Sequence, residues 1–372
     1  MRTSTAVSAQ WANRPADERF LSLESLREMV VERTNRAVVA SEAREKMHVA
    51  AVHDELYLET TATRSRFTNW SMSQLATVCG APPKFLSLLS ADLAADCLNY
   101  RLSAIERDDH LLLLDNKSGE NTVGSTVDGV IPAKRDISDT ELRAITSPGY
   151  GRIWDINVLD SLLVLNHDGR WKVPSASYQE ADPLRATTLY GSDRDIFVFL
   201  CDPDNPVEIN GKPKYRGFIV ANSEVGSMTF WVAMFLYDRV CDNRIIWGIS
   251  MYEQLRKRHT ISAPVWFVTN GAKVLSEYAN SGTGQEVKRI KGAKALTVGD
   301  STKSVVDFTV NKTKLNKRYV EESLKLGEEL EGDPTKLWTV VSGLTAKART
   351  IPNSDSRVYV EVAAGKLLDL VR

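Results

Sequence analysis

The chain is poor in cysteine and has no long apolar run. Its four cysteines, Cys79, Cys97, Cys201 and Cys241, are far apart and form no CxxC pair. That spacing argues against a zinc site or a disulfide framework and favours reduced thiols inside a cell. No apolar run approaches the roughly 18–20 residues that cross a bilayer, and the N-terminus lacks the apolar core of a signal peptide. The sequence therefore predicts a soluble cytoplasmic protein with no membrane partner.

The motifs of common catalytic and cofactor sites are also missing. The sequence contains no GxxxxGK[ST], GxSxG or HExxH, and Ser281–Gly284 lacks the Lys that a phosphate-binding loop needs. We therefore predict no catalytic residue, no cofactor and no bound metal. One alternative stays open, in which Asp193, Asp195 and Asp202 hold a divalent cation that helps to process nucleic acid. Acidic residues beside Pro and Asn are more typical of turns.

The spacing of apolar residues predicts an α+β fold, with a central, mostly antiparallel sheet flanked by helices and a helical C-terminal region. Helices are predicted at Ser22–Val38, Asn69–Cys79, Leu86–Arg107, Ile153–Leu165, Thr313–Leu330, Thr335–Ala348 and Val360–Leu370. Strands are predicted at Lys46–Val52, Glu55–Thr60, His110–Asp115, Thr140–Ile145, Asp195–Cys201, Gly217–Ala221 and Met228–Leu236.

Shifts in composition divide the chain into four parts. Residues 1–20 are polar and predict a flexible N-terminal segment. Residues 21–280 form the α+β core domain. A Gly- and Ser-rich stretch then opens a basic linker at 281–312, and residues 313–372 form a helical region that packs on the core.

A net charge of −1 hides a strongly basic stretch. Residues 253–318 contain thirteen Lys and Arg but only five Asp and Glu, an excess of about eight positive charges. A polyphosphate partner requires such an excess, because nucleic-acid binding depends on neutralising phosphates. The alternative is a solvated basic face that the acidic segment Glu321–Asp333 balances.

Aromatic and cationic residues alternate in the segment Tyr215–His259. Arg239 and Arg244 lie between large apolar residues, and the segment ends on the cations of RKRH. A sheet that presents both rings and guanidinium groups suits single-stranded nucleic acid, whose bases can stack. An ordinary buried sheet with solvated edges shows the same pattern. The turn Asn222–Ser227 either closes a hairpin through its own side chains or offers backbone amides to a phosphate.

A second candidate contact combines Arg143 with Tyr150. An Arg at the end of a strand, followed by an aromatic ring, indicates a phosphate contact beside a stacking platform. The same Arg equally fits a structural pair with a carboxylate, since Asp155 and Asp160 are close in sequence.

Seven segments, in this order, resemble the phage- and plasmid-related proteins grouped as domain of unknown function 932. They are Asn69–Leu86, Leu142–Tyr150, Phe218–Phe230, Asp238–Ile245, Arg256–Thr260, Leu337–Ala348 and Val360–Leu368. The resemblance implies a protein of a mobile element acting in a host cell. It supplies no catalytic residues, because the family has no agreed mechanism.

The charge pattern and the resemblance together predict a nucleic-acid-binding protein that acts without covalent catalysis. We expect it to bind or anneal single-stranded DNA in recombination and to form homo-oligomers. The predicted contact residues are Arg143, Tyr150, Arg239, Arg244, Arg256, Lys257, Arg258, His259, Lys288, Arg289, Lys291 and Lys294. Two alternatives remain: a protein-interaction factor that modulates host defence, and the metal-dependent nucleic-acid-processing enzyme.

Overall fold

The structure is a computed structural model that describes residues 15–104, 110–117, 140–173, 187–209, 212–238, 243–247, 256–280, 284–348, 350–351 and 354–371. In this part of the chain, twelve strands form two sheets of six strands each. The strands are β1 Arg19–Phe20, β2 Ala37–Ala43, β3 His48–Val52, β4 Glu55–Glu59, β5 Arg64–Phe67, β6 His110–Asn116, β7 Thr140–Thr146, β8 Leu189–Gly191, β9 Ile196–Ile209, β10 Lys212–Asn222, β11 Trp231–Asp238 and β12 Asn243–Trp247.

Helices flank both sheets and make up the C-terminal part of the chain. They are α1 Leu23–Arg36, α2 Asn69–Val78, α3 Pro83–Leu86, α4 Ala91–Ser103, α5 Asp155–Leu165, α6 Ala263–Trp266, α7 Ala272–Asn280, α8 Gly284–Ala295, α9 Thr302–Thr313, α10 Lys317–Glu331, α11 Leu337–Ala348 and α12 Ser354–Leu367. A π-helical turn, Phe267–Gly271, joins α6 to α7.

Sheet B has the strand order β2-β6-β7-β5-β4-β3 and is antiparallel except between β5 and β7. Strands β3 and β4, both predicted as strands, form a hairpin, because His53 and Asp54 both adopt the left-handed backbone conformation that a two-residue turn requires. Helices α2 and α4 cover one face of the sheet and bury Leu75 and Leu98 together with Leu142 of β7.

Sheet A has the strand order β1-β8-β9-β10-β11-β12 and is antiparallel throughout. Successive residues of β9 point to opposite faces, as the pleat requires. Val198 packs in one core with Leu26 of α1 and Leu159 of α5. Its neighbour Phe197 packs in another core, which includes Val362 of α12. Both faces of this sheet are therefore buried, and the helical C-terminal region covers part of the second face.

Helices α8 to α12 share one apolar core, which also contains Val207 of β9 and Leu236 of β11. Helices α10 and α11 cross closely at Gly327 and Gly343. A Cβ atom at Gly343 would lie 2.1 Å from the carbonyl oxygen of Ser323, so this crossing needs residues without a side chain.

The predicted fold class is confirmed: the chain is α+β, mostly antiparallel, with a helical C-terminal region. The strands form two sheets where the sequence pattern predicted one central sheet. Helix α1 begins as predicted, because the side chain of Ser22 accepts a hydrogen bond from the backbone N–H of Ser25.

The two segments predicted to lack regular structure are partly folded. In the N-terminal segment 1–20, residues 1–14 lie outside the described part, while β1 pairs with β8. In the predicted linker 281–312, the described residues form α8 and most of α9. Ile290 and Val305 of these helices are buried in the C-terminal core, so this basic stretch packs with the helices that follow it.

Candidate nucleic-acid interface

Arg143 of β7 lies in a buried cluster of charged side chains and is only 3% exposed. Its Nη2 atom is 3.1 Å from Oε2 of Glu224, which follows β10. Arg33 of α1 reaches the same carboxylate at 3.5 Å and Oδ2 of Asp155, at the start of α5, at 2.6 Å. We call Arg33, Arg143, Asp155 and Glu224 the ion cluster. Arg143 thus pairs with a carboxylate inside the protein and is not open to a phosphate.

Hydrogen bonds offset the cost of burying these charges. The backbone N–H of Asp155 donates to Oε1 of Glu224 at 3.0 Å. Asn222 donates from Nδ2 to Oδ1 of Asp155 at 2.6 Å and to the carbonyl of Ile153 at 2.8 Å. A buried ion pair without such additional partners would destabilise the fold, because both ions lose their hydration.

The two carboxylates of the ion cluster have opposite pKa shifts. Burial, followed by the charge of Glu224, raises the pKa of Asp155 well above its usual range. Burial also opposes ionisation of Glu224, but Arg33 and Arg143 together outweigh it and hold the pKa of Glu224 below its usual range. Ionisation of one carboxylate disfavours ionisation of the other, because two like charges repel at this distance. Glu224 therefore carries the negative charge more readily than Asp155.

The turn between β8 and β9 covers the ion cluster through three consecutive carbonyl groups. Arg33 donates to the carbonyl of Ser192, and Arg143 donates to that of Asp193 at 3.2 Å. The hydroxyl of Ser223 donates to the carbonyl of Arg194 at 2.6 Å. Each carbonyl of this turn is therefore held by a side chain from another element, and the turn closes the cluster from solvent.

Side chains of α2 and Tyr150 meet the turn after β10 beside this cluster. Trp70 and Gln74 of α2 both donate to the carbonyl of Val225, at 2.9 and 2.8 Å. The hydroxyl of Tyr150 donates to the carbonyl of Ser223 at 2.9 Å. These bonds join α2, which covers sheet B, to the turn after β10 of sheet A. Trp70, Gln74 and Tyr150 therefore hold the two sheets together.

Tyr150 is built into this joint and is not a free platform for a base. Its ring stacks on His259 with the ring centroids 5.0 Å apart and an angle of 24° between the planes. The guanidinium group of Arg152 lies 5.3 Å from the ring centroid. Because its ring and its hydroxyl already have partners, Tyr150 fixes the segment that carries His259.

His259 anchors the end of the RKRH motif. Burial lowers its pKa to about 4, so the ring is neutral at pH 7 and adds no charge to an interface. The backbone N–H of Gly151 donates to the carbonyl of His259 at 3.0 Å. A Cβ atom at Gly151 would lie 1.9 Å from the carbonyl oxygen of Thr260, which explains why a glycine stands there. His259 therefore positions its neighbours.

Those neighbours, Arg256, Lys257 and Arg258, form a surface feature that we call the cationic strip. Arg256 and Arg258 are exposed and Lys257 is half-buried, with its Nζ 5.6 Å from the ring centroid of Trp266. The N–H of Lys257 donates to the carbonyl of Phe230 at 2.8 Å, which ties the strip to the start of β11. None of the three cations pairs with a carboxylate in the described part of the chain.

Exposed aliphatic side chains lie in the segment that follows the strip. Ile261, Val265 and Val268 are 78%, 68% and 71% exposed. A single exposed apolar side chain is ordinary on a protein surface. Three of them within eight residues, beside a group of cations, indicate a contact surface.

The cations of α8 divide into paired and unpaired ones. Arg289 lies 3.2 Å from Asp369, and Lys294 lies 3.7 Å from Glu331. Lys288 and Lys291 are exposed and have no carboxylate partner among the described residues.

Helix α8 packs in a different apolar core from the one beside the cationic strip. Its Ile290 shares a core with Leu236, near the far end of β11, whereas the strip pairs with Phe230 at the near end. Six residues of strand separate these points by about 20 Å. The two basic groups therefore lie beside different cores of the molecule.

The remaining predicted contacts lie outside what the structure describes. Arg239 is in the segment 239–242, which has no described residues, and only the backbone of Arg244 is described, where it pairs with Tyr237 of β11.

Asp202 lies inside β9, which continues to Ile209, so the prediction of a turn at DPDNP is wrong; the pairing of β9 with β10 shifts its register there instead. Oδ1 of Asp202 accepts hydrogen bonds from the backbone N–H groups of Asp204 and Asn205 at 3.3 and 3.2 Å, and its Oδ2 is 2.5 Å from Nε of Arg170. Asp195 accepts a hydrogen bond from Ser192 at 3.0 Å. Within the described ranges, no group of three or more His, Cys, Asp or Glu residues is arranged to hold a metal ion.

A cleft of about 590 Å³ opens between sheet B and the turn that covers the ion cluster. Its rim carries more carboxylates than guanidinium groups: Asp54, Glu55, Glu141 and Asp193 against Arg66 and Arg194. That balance does not suit a polyphosphate, so the cationic strip is the better candidate interface.

Three charged residues of this region, Arg33, Arg152 and Glu224, are not among the contacts predicted from the sequence. A signal for Arg33 was present, since it falls in line with the buried residues Leu26 and Val30 on one face of α1. A charged residue in an apolar stripe indicates a buried partner. For Glu224, no local signal shows that its partners come from elements far away in sequence.

No model of a protein family matches this chain, and no curated protein or solved structure matches it. The resemblance to the domain of unknown function 932 family therefore stays a prediction. Among the described residues, no helix has both the length and the apolar content that crossing a bilayer requires.

Proposed function

We propose that this protein binds single-stranded nucleic acid, with single-stranded DNA as its main ligand, and that it acts without covalent catalysis. The cationic strip is the observation that carries the proposal. It presents Arg256, Lys257 and Arg258 on a backbone that Phe230 and Gly151 hold in place, with no described carboxylate to neutralise them. We further propose that the protein works as a homo-oligomer in the cytoplasm of a host cell, where strand annealing in recombination is its task.

Only unpaired cations contribute to this binding. A phosphate that replaces an existing carboxylate partner gains little, whereas a phosphate that meets a free cation releases counterions from the nucleic acid. Three cations in the strip correspond to a slope of about −2 for log K against log salt concentration on a single strand. If Lys288 and Lys291 also reached the strand, the slope would be about −3.5.

The apolar neighbours of the strip extend the contact surface. Ile261, Val265 and Val268 are suited to pack against sugars and the faces of unstacked bases. Neither phosphate contacts nor such packing read the edges of the bases, so we expect binding to depend little on sequence. Bases that are held by their backbone keep their pairing edges available, as annealing requires.

Fluorescence anisotropy with labelled oligonucleotides tests the proposal. We expect the wild-type protein to bind a single strand more tightly than a duplex, with a salt slope of about −2. Changing Arg256→Ala together with Arg258→Ala removes two of the three free cations and should leave a slope of about −0.7. The fold should be unaffected, because both side chains are exposed.

A matched control removes two exposed cations elsewhere. Lys317 and Arg318 of α10 already pair with Asp307 and Glu322, so Lys317→Ala with Arg318→Ala should leave the affinity nearly unchanged. Equal losses in both double variants would show that overall charge, and not the strip, governs binding. Absence of single-strand binding at low salt would refute the proposal.

The exposed side chains of Ile261, Val265 and Val268 favour a second candidate function, docking of an acidic partner protein. Oligonucleotide binding would then be weak and insensitive to salt, whereas substitution of Val265→Ser would weaken capture of the partner. Steep salt dependence of single-strand binding, together with no effect of Val265→Ser on capture of an acidic protein, favours the nucleic-acid function.

A further inference from the structure

Three of the four sheet edges in the described structure are protected from pairing with another chain. Strand β1 is only two residues long, and helices α11 and α12 lie against β12. On β3, the side-chain amide of Asn99 accepts from the backbone N–H of Val49 and donates to its carbonyl, both at 2.8 Å. Exposed edges invite association, and short strands or covering groups prevent it.

Strand β2 is the exception. It pairs with β6 along all seven of its residues without a bulge, and no described strand pairs with its other side. Val38 to Ser41 are exposed, with Val39 at 48%. The strand contains no Pro and no Lys, which are the residues that commonly protect an edge. A row of backbone N–H and C=O groups is therefore open to a partner strand.

We propose that β2 of one copy pairs antiparallel with β2 of a second copy across a two-fold axis, which joins the two copies of sheet B into one continuous sheet. The small side chains of Ala37, Ala40 and Ser41 permit close approach of the two backbones. This association does not depend on nucleic acid, so it can be tested separately from the proposed function.

Symmetry and charge select the register. In an antiparallel ladder, each residue lies directly opposite one residue of the other strand, in a hydrogen-bonded or a non-hydrogen-bonded pair. When the two strands are identical, the two-fold axis passes through the centre of one such pair, which consists of a residue and its own copy. Arg36 ends α1, but its carbonyl continues the ladder of β2 by accepting from the N–H of Lys117 at 3.0 Å. With Val39 on the axis, Arg36 lies opposite Glu42 of the second copy, and this pair occurs twice. With Ala40 on the axis, Arg36 would lie opposite Arg44 of the second copy, a repulsive pair.

Both charged groups are available for this exchange. Arg36 is paired with Glu32 on the surface of its own helix, in a contact that contributes little in water. Glu42 accepts only a long hydrogen bond, 3.3 Å, from Thr61 in the described structure. Exchange of partners across the axis therefore sacrifices little within each copy.

Sedimentation velocity of the full chain without nucleic acid, over a range of protein concentrations, tests the pairing. We expect the wild type to form dimers reversibly. Val39→Lys places two ammonium groups face to face on the axis and should raise the dissociation constant at least about tenfold. Val164→Lys, at a 74% exposed valine of α5, is the matched control and should have no effect. A monomeric wild type, or equal behaviour of the two variants, would overturn the proposal.

Charge exchange tests the register. Arg36→Glu and Glu42→Arg should each weaken the dimer about tenfold, because each places two like-charged pairs across the interface. The double variant should restore wild-type affinity. Failure of the double variant to recover would exclude the register centred on Val39. Circular dichroism, and thermal unfolding at concentrations where the wild type is monomeric, report the fold of each copy and should remain unchanged in all these surface variants.

Discussion

Replacement of Glu224 by glutamine should destabilise the fold by about 3 kcal/mol, because it removes the charge that two buried guanidinium groups share. Glu224 is fully buried and lies 3.1 Å from Arg143 and 3.5 Å from Arg33. Glutamine keeps the shape and can still accept the hydrogen bond from the N–H of Asp155. It turns an N–H group, however, toward guanidinium groups that only donate.

The magnitude follows from which charges remain. Removal of one partner of a buried ion pair typically costs about 3–5 kcal/mol. Here the loss should fall at the lower end of that range, because Asp155 ionises more easily once the negative charge of Glu224 is gone and then neutralises part of the excess.

Equilibrium unfolding in urea measures this effect. Glu224→Gln should lower the midpoint with an unchanged m-value, which indicates a change in stability and not in the unfolded state. The control is Asp160→Asn, which removes an exposed pair with Arg27 at 2.6 Å and should cost less than about 1 kcal/mol. A loss below 1 kcal/mol for Glu224→Gln, or equal losses for both variants, would refute the assignment of the ion cluster as a structural joint.

Three further predictions concern other parts of the molecule. Because burial lowers the pKa of His259 from 6.5 to about 4, its neutral form contributes stability that is complete above pH 6.5 and is lost as the pH falls toward 4. That loss is about 3 kcal/mol, and His259→Gln should flatten the stability profile measured by urea unfolding between pH 7 and pH 4. Gly343→Ala should destabilise the fold by about 1–3 kcal/mol, because the new Cβ atom would collide with the carbonyl of Ser323. Helix propensity alone would predict stabilisation, so a lowered melting temperature supports the close crossing and a raised one contradicts it. In salt titrations by anisotropy, Arg256→Ala alone should reduce the slope by about 0.7, and an unchanged slope would remove that residue from the interface.

Local features of the fold were predictable because they depend on neighbours in sequence. The capping of α1 by Ser22 and the left-handed turn at His53 and Asp54 follow from side chains and backbone preferences within a few residues. At Asp202 the carboxylate does bind the N–H groups two and three residues further on, but the expected turn is absent because these residues lie within β9.

Site residues were harder to predict because their environment depends on distant segments. Arg143 and Glu224 are 81 positions apart, and nothing near either residue in sequence shows that they meet. The same limitation applies to Tyr150, whose ring was expected to face a base but stacks on His259. An exposed and a buried cation have the same sequence signature until their partners are known.

The sequence by itself determined the α+β class, most helix and strand positions, and the excess of positive charge in residues 253–318. Only the tertiary structure decided which of those charges are free. It buries Arg143 with Glu224, pairs Arg289 with Asp369, and leaves the cationic strip exposed. The physical reason is that a cation attracts an external partner strongly only when no carboxylate of its own chain lies close enough to neutralise it. The distance between residues that are remote in sequence is set by the folded chain.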